Sequence, residues 1–235
     1  MRRLVASVGC DVRLQWRNGF YYAVGFLLAA MLLAIRWLPV FDWSTVLPPL
    51  LLGNLMVATF YFLGGLLLLE KDEGTLESLI VTPLSPAEYL LSKVLTLGAL
   101  SLVESFVIVL AAHGPEFDWL AMGVGVACAA TLYCLLGFLV VIRYDSINEY
   151  LFPTVLYTAL FVLPILEYAG LWGGDWMLVH PFQPSLLLME GAFRGATASV
   201  WIYGVAYSAL WIALLLRWST RAFRRFVIAD AGGAR

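Results

Sequence analysis

Glu104 is the side chain with most to explain. It stands in the middle of a long apolar run, LLSKVLTLGALSLVESFVIVLAA, where an acidic group costs about 2.5–3.5 kcal/mol if that run crosses a bilayer. It must be protonated, paired or hydrated there. It can hold a cationic solute, report the protein's state, serve as an ion site, or bond to a neighbour such as Asn54 or Tyr133. His113, Glu116 and Asp118 in HGPEFDW include a permitted metal-ligand set, but Gly114 and Pro115 make that stretch a tight turn and no helical HExxH is present. No metal site is assigned. His180, beside Pro181, has no nucleophile at catalytic spacing, and no catalytic residue is assigned either. Cys128 and Cys134 fall inside another apolar run and read as reduced packing residues, as does Cys10 in its own segment. No GxxxxGK[ST] phosphate loop occurs anywhere in the sequence. This chain binds no nucleotide by that route and no cofactor is assigned to it.

The elements that must position these groups are membrane helices. With 62% hydrophobic and 13% charged residues, the composition lies outside the range of soluble domains, and the apolar residues arrive in runs of about 20, enough to cross about 30 Å of hydrocarbon. Six such runs are read, at 20–38, 48–69, 90–112, 120–142, 151–168 and 199–216. The expected fold is all-α: a polytopic membrane protein forming a single transmembrane domain over 1–235. An amphipathic helix over 1–19, with Leu4, Val8, Val12 and Trp16 at helical spacing, is expected to lie on the membrane surface. Segment 70–89 is a loop with a short helix, 169–198 an external, re-entrant-like segment, and 217–235 a basic tail. Of the 14 basic residues only Arg36 and Arg194 fall outside if both termini are cytoplasmic, so that orientation is expected. The net charge of −2 gives no reason to expect nucleic acid as a partner.

Segment 70–89, EKDEGTLESLIVTPLSPAEY, is a charged island between apolar runs. Gly74 and Thr75 end one helix and cap another, Leu76, Leu79 and Ile80 share a face of a short helix, and Pro83 closes it. Ser85, Pro86 and Glu88 then form a capping box that starts the third span. The expected partner contact is made by the three aliphatic side chains, each worth about 1.5–3 kcal/mol when buried. Glu70, Lys71, Asp72 and Glu73 are read as solubilising flanks worth about 0–1 kcal/mol each. Gly123, Ala127, Ala130, Cys134 and Gly137 form a small-residue stripe in the fourth span, expected to permit close packing within or between chains.

Two mildly polar faces complete the inventory: Asn54, Ala58, Tyr61 and Gly65 in the second span, and Thr154, Tyr157, Thr158 and Phe161 in the fifth. Pro153 and Pro164 are expected to bend the fifth span, and Ser146 and Glu149 are spaced as a second capping box. Arg217, Arg221, Arg224 and Arg225 are expected to meet anionic headgroups or a partner protein.

The segment EKDEGTLESLIVTPLSPAEYLLSK after the second of six spans resembles the permease subunits of type-2 ATP-binding-cassette (ABC) exporters. The run around Trp176, His180, Pro181 and QPSLLLMEGAF, and the overall plan, resemble the same family. The resemblance implies that Glu73, Gly74, Thr75, Leu76, Glu77, Leu79, Ile80 and Pro83 form a coupling helix against a separate ATPase subunit, which binds ATP and Mg. It further implies a second permease subunit, identical or related, in a bacterial cytoplasmic membrane. The substrate pathway is then bordered by Asn54, Tyr61, Glu104, Thr154, Tyr157, Thr158 and Phe161, a lining suited to an amphipathic or hydrophobic small molecule such as a drug. Two other readings stay open: a self-contained channel or ion-coupled carrier using Glu104, and an intramembrane enzyme using His113 or His180.

Overall fold

The computed structural model describes residues 2–39, 42–78 and 84–228. Helix α1 (Arg2–Arg17) precedes the first span, α2 (Phe20–Trp37). The second span is α3 (Trp43–Leu55), a π-helical turn at Met56–Tyr61 and α4 (Phe62–Asp72), followed by the short α5 (Thr75–Ser78). The third and fourth spans are α6 (Pro86–Ala112) and α7 (Trp119–Val141). The fifth divides into α8 (Ile147–Phe161) and α9 (Leu163–Tyr168). A 3-10 turn at Asp175–Val179 leads to α10 (Gln183–Arg194) and the last span, α11 (Ala198–Phe223), which runs on into a second π turn at Arg224–Ile228. Six helices are long and apolar enough to cross a membrane, and no strand occurs among the described residues. The chain is an all-helical, multi-pass membrane protein.

Local chemistry sets the helix ends. Ser85 Oγ accepts from the Glu88 amide at 3.2 Å while Glu88 Oε2 accepts from the Ser85 amide at 2.9 Å, a complete capping box at the head of α6. Ser146 forms only half of one: its hydroxyl accepts from the Glu149 amide, but the Glu149 carboxylate turns to the amide of Asp145. Asp42 caps α3 through the Ser44 amide at 3.0 Å, so the second span starts five residues before Pro48. Pro48 and Pro49 are the sixth and seventh residues of α3, past the first four donors that have no intrahelical acceptor, so the carbonyls of Ser44 and Thr45 lose their usual i→i−4 donors.

Helix α7 is the centre of the bundle. Its apolar window is 67% buried, against 6% for that of α2, and it packs on α3, α4, α6, α10 and α11. Its small residues serve this chain: a Cβ on Gly137 would stand 3.2 Å from the Phe60 carbonyl of the first π turn, and Gly123 faces the Phe106 ring. Helix α1 lies along α6, but the face it buries is polar. Asp11 and Gln15 point inward and Leu4 and Val8 are half-buried, while Val12 and Trp16 of the expected apolar face stay exposed.

Candidate functional site

Two constellations stand out, one within the bundle and one at its basic end. In the first, the second and fifth spans meet where Tyr61 Oη and Thr158 Oγ1 approach to 2.5 Å. Phe161 packs edge-on against Phe60 at 5.2 Å and against Phe182 at 5.3 Å, and Phe182 stacks on Tyr133 at 4.0 Å. Tyr157 is half-buried beside them and the buried Thr154 hydroxyl donates to the Leu151 carbonyl. The fifth-span face therefore holds together as one surface.

The second-span face does not. The π turn at Met56–Tyr61 admits an extra residue into one turn, which rotates everything after it relative to Asn54. Asn54 is the side chain facing Glu104 on α6, Tyr61 turns to α8, and Gly65 sits against the Phe20 ring on α2. Thr59 steadies the turn by donating to the Leu55 carbonyl at 2.6 Å. Glu104 is buried, yet its Oε2 and the Asn54 amide nitrogen have no hydrogen-bond partner, nor do the hydroxyls of Ser101 and Ser105 on the same side of α6. Glu104 and Asn54 thus form a polar neighbourhood separate from the Tyr61–Thr158 seam.

The second constellation surrounds the stems of the charged island. Lys93, 1% exposed, bridges the Glu70 carboxylate and Asp11 Oδ1, the latter at 2.5 Å. Tyr89 donates to Glu70 at 2.5 Å, Ser92 donates to Asp11, and Gln15 donates to Thr96 at 2.9 Å. Three elements are joined here: α1, the end of the second span and the start of the third. Lys71 donates to the carbonyls of Ile142 at 2.9 Å and Tyr144 at 2.7 Å, satisfying the end of α7, and reaches Asp145 at 3.1 Å. Arg17 grips both oxygens of Glu73, at 2.6 and 2.8 Å.

These contacts correct the reading of the island in two ways. Glu70 and Lys71 are structural groups bonded to other helices rather than solubilising flanks. Leu76, expected on the exposed apolar face, is 4% exposed and packs into the core. Gly74 takes a left-handed φ of 66°, which lets the chain leave α4 and turn Leu76 inward, and the Thr75 hydroxyl donates to the Glu70 carbonyl at 3.0 Å. Glu77 keeps its place in α5, while Leu79, Ile80 and Pro83 lie outside the described residues. The Asp11–Lys93–Glu70 triad was missed because charges at span ends read as solvated; the one signal for it was Asp11 and Gln15 recurring four apart on a membrane-surface helix.

The histidines have structural partners. His113 meets the Phe193 ring at 4.9 Å and the Glu116 carbonyl at 3.2 Å, and Asp118 is spent on the amides of Leu120 and Ala121. At His180, Nδ1 accepts from the Phe182 amide at 3.3 Å, so Nε2 carries the proton toward the Leu160 carbonyl at 3.2 Å. That carbonyl is the one Pro164, lacking an N–H, cannot serve. His180 thus repairs the break between α8 and α9. Burial pushes its pKa down to about 4, below the roughly 6.5 of a free imidazole. The unfolded chain therefore takes up the proton first, and stability present above pH ~6.5 is lost as pH falls toward 4. We expect roughly 1–2 kcal/mol, about half the full linkage because the ring is partly open to solvent. Comparing melting of the wild type with His180→Gln between pH 7 and 4.5 isolates it, since the variant should lose that component of the acid slope.

The sequence matches the fluoroquinolones export permease protein family over residues 2–231. It is 30% identical over 235 residues to the fluoroquinolones export permease proteins of Mycobacterium tuberculosis strains CDC 1551 and H37Rv, covering 99% of this chain and 99% of each relative. A match that runs the whole length of both chains takes in every span and both constellations, and this six-span membrane protein therefore belongs to the fluoroquinolones export permease protein family.

Proposed function

We propose that the chain is the membrane-spanning subunit of an ATP-driven, type-2 ABC exporter. It would expel an amphipathic aromatic solute of the fluoroquinolone class, the class in its relatives' names. A separate ATPase subunit supplies ATP hydrolysis, since the sequence has no phosphate loop, and a second permease subunit completes the pathway. Both termini and segment 70–89 face the cytoplasm of a bacterial cell. The observation that carries this reading is the double anchorage of that segment: Glu70 on its first stem and Lys93 on its second are bonded to each other inside the protein. Displacement of the loop by a partner is then passed to the second and third spans together. The mildly polar, aromatic Tyr61–Thr158 and Phe161 seam supplies a surface on which a flat amphipathic solute can bind.

With Leu76 turned inward, the ATPase contact falls to Leu79 and Ile80. Leu79→Asp should leave insertion intact, release the ATPase on co-purification and raise fluoroquinolone accumulation to that of cells lacking the exporter. Normal export by Leu79→Asp with its ATPase still bound would sink the coupling assignment. The unpartnered Glu104 carboxyl oxygen favours one rival, an ion-coupled carrier. Gradient-driven export by the purified chain alone, lost in Glu104→Gln, would establish that rival instead.

A further inference from the structure

Between α7 and α11, at the end of the bundle that holds Lys93, lies a groove of about 290 Å³. Arg143, Arg221 and Arg225 stand around it, over a floor that includes Leu139, Trp218 and Phe226. Trp218 and Arg221 line it from α11 and Arg225 from the π turn that continues that helix. Leu139 and Arg143 are four residues apart, where α7 ends. None of the three guanidinium groups has an acidic partner among the described residues, whereas Arg17, Lys71 and Lys93 at the same end all do. Arg225 instead lies over the Phe226 ring at 5.4 Å. Trp218 is 47% exposed.

We propose that this groove binds an anionic phospholipid, its phosphate among the three arginines and an acyl chain along Leu139 and Trp218. Three cations with no acidic partner among the described residues, converging on one cavity, call for an anion. The apolar floor calls for hydrocarbon beside it, which a free phosphate does not bring. The depth also fits, because the groove opens where the apolar surfaces of two spans give way to arginine and an exposed tryptophan, the composition of the headgroup layer. The site adjoins the charged island from two directions. Arg143 lies between Ile142 and Tyr144, whose carbonyls receive Lys71, and the turn carrying Phe226 packs beside α5. A bound headgroup therefore braces the same end of the bundle as the Asp11–Lys93–Glu70 triad.

The test uses the purified full chain in detergent with phosphatidylglycerol or phosphatidylcholine bearing brominated acyl chains, which quench nearby tryptophan. The Trp218 signal is obtained as the difference between wild type and Trp218→Phe. Phosphatidylglycerol should quench it at concentrations where phosphatidylcholine does not. With about five-fold in affinity from each arginine, Arg143→Gln/Arg221→Gln should weaken binding about twenty-five-fold. Arg13→Gln/Arg36→Gln removes the same charge from positions that do not line the groove and should change binding by no more than about two-fold. Equal quenching by the two lipids, or groove and control variants weakened alike, would overturn the proposal. Displacement of the lipid by millimolar inorganic phosphate would also overturn it, identifying a free-anion site instead.

Discussion

Lys93→Met is expected to destabilise the protein by about 3–5 kcal/mol, the cost of stripping the partner from buried charges. The variant leaves the Asp11 and Glu70 carboxylates facing a site from which their shared ammonium has gone, each 5% exposed. Neither can reach water without parting α1 from α6 or opening the foot of the second span. The triple variant Asp11→Asn/Glu70→Gln/Lys93→Met removes all three charges and should recover most of the loss, because neutral side chains in such a site are commonly as stable as the ion pairs they replace. Thermal unfolding in detergent gives the stabilities. If Lys93→Met melts with the wild type, the triad does not hold these elements together. A stable triple variant that has lost export would show that the charges transmit motion as well as bind the stems.

Gly64→Ala should be the most damaging of the single-methyl changes. A Cβ at Gly64 would stand 2.4 Å from the Tyr150 hydroxyl and 2.6 Å from its ring carbon Cζ, and an aromatic ring cannot bend away. The methyl group must push α8 from α4, at about 1–3 kcal/mol for overpacking, and it strains the nearby Tyr61–Thr158 contact. The Tyr150 hydroxyl has no hydrogen-bond partner, so trimming that side chain sacrifices packing alone. Gly64→Ala combined with Tyr150→Leu should therefore be more stable than the sum of the two single effects predicts, by at least about 0.5 kcal/mol. Strict additivity would mean that the glycine is required for another reason.

What the sequence disclosed and what it withheld follow from the range of the interactions involved. The six spans were readable because each is a run of apolar residues, and the α6 capping box because Ser85, Pro86 and Glu88 act within one turn. The Thr154-to-Phe161 face kept α-helical spacing and was readable for the same reason. The second-span face was misread because no composition announces a π turn; Met56–Tyr61 is ordinary membrane sequence, yet it sends Asn54 and Tyr61 to different neighbours. Leu76 was misread because its direction is set by the left-handed turn at Gly74, which swings α5 back against α4 and the second π turn. Lys93 was passed over because a lysine near a span end is usually solvated, and only the fold brings α1 over it to exclude water. The triad was hidden because its environment is supplied by a helix far away along the chain, the second-span face because of a local change of helical pitch.

The central position of α7 has a consequence for how the protein is made. Of the six spans it has the highest hydropathy, 2.4, so it enters the bilayer readily on its own. Two of the helices it packs on, α10 and α11, have not yet been translated when it does. Until they arrive, lipid must cover the side they will occupy. Synthesis interrupted before Ala198 would therefore leave an inserted bundle with its core open along one flank, a form fit for membrane quality control. Closure of that flank waits on α11, which packs along the bundle centre that α7 provides.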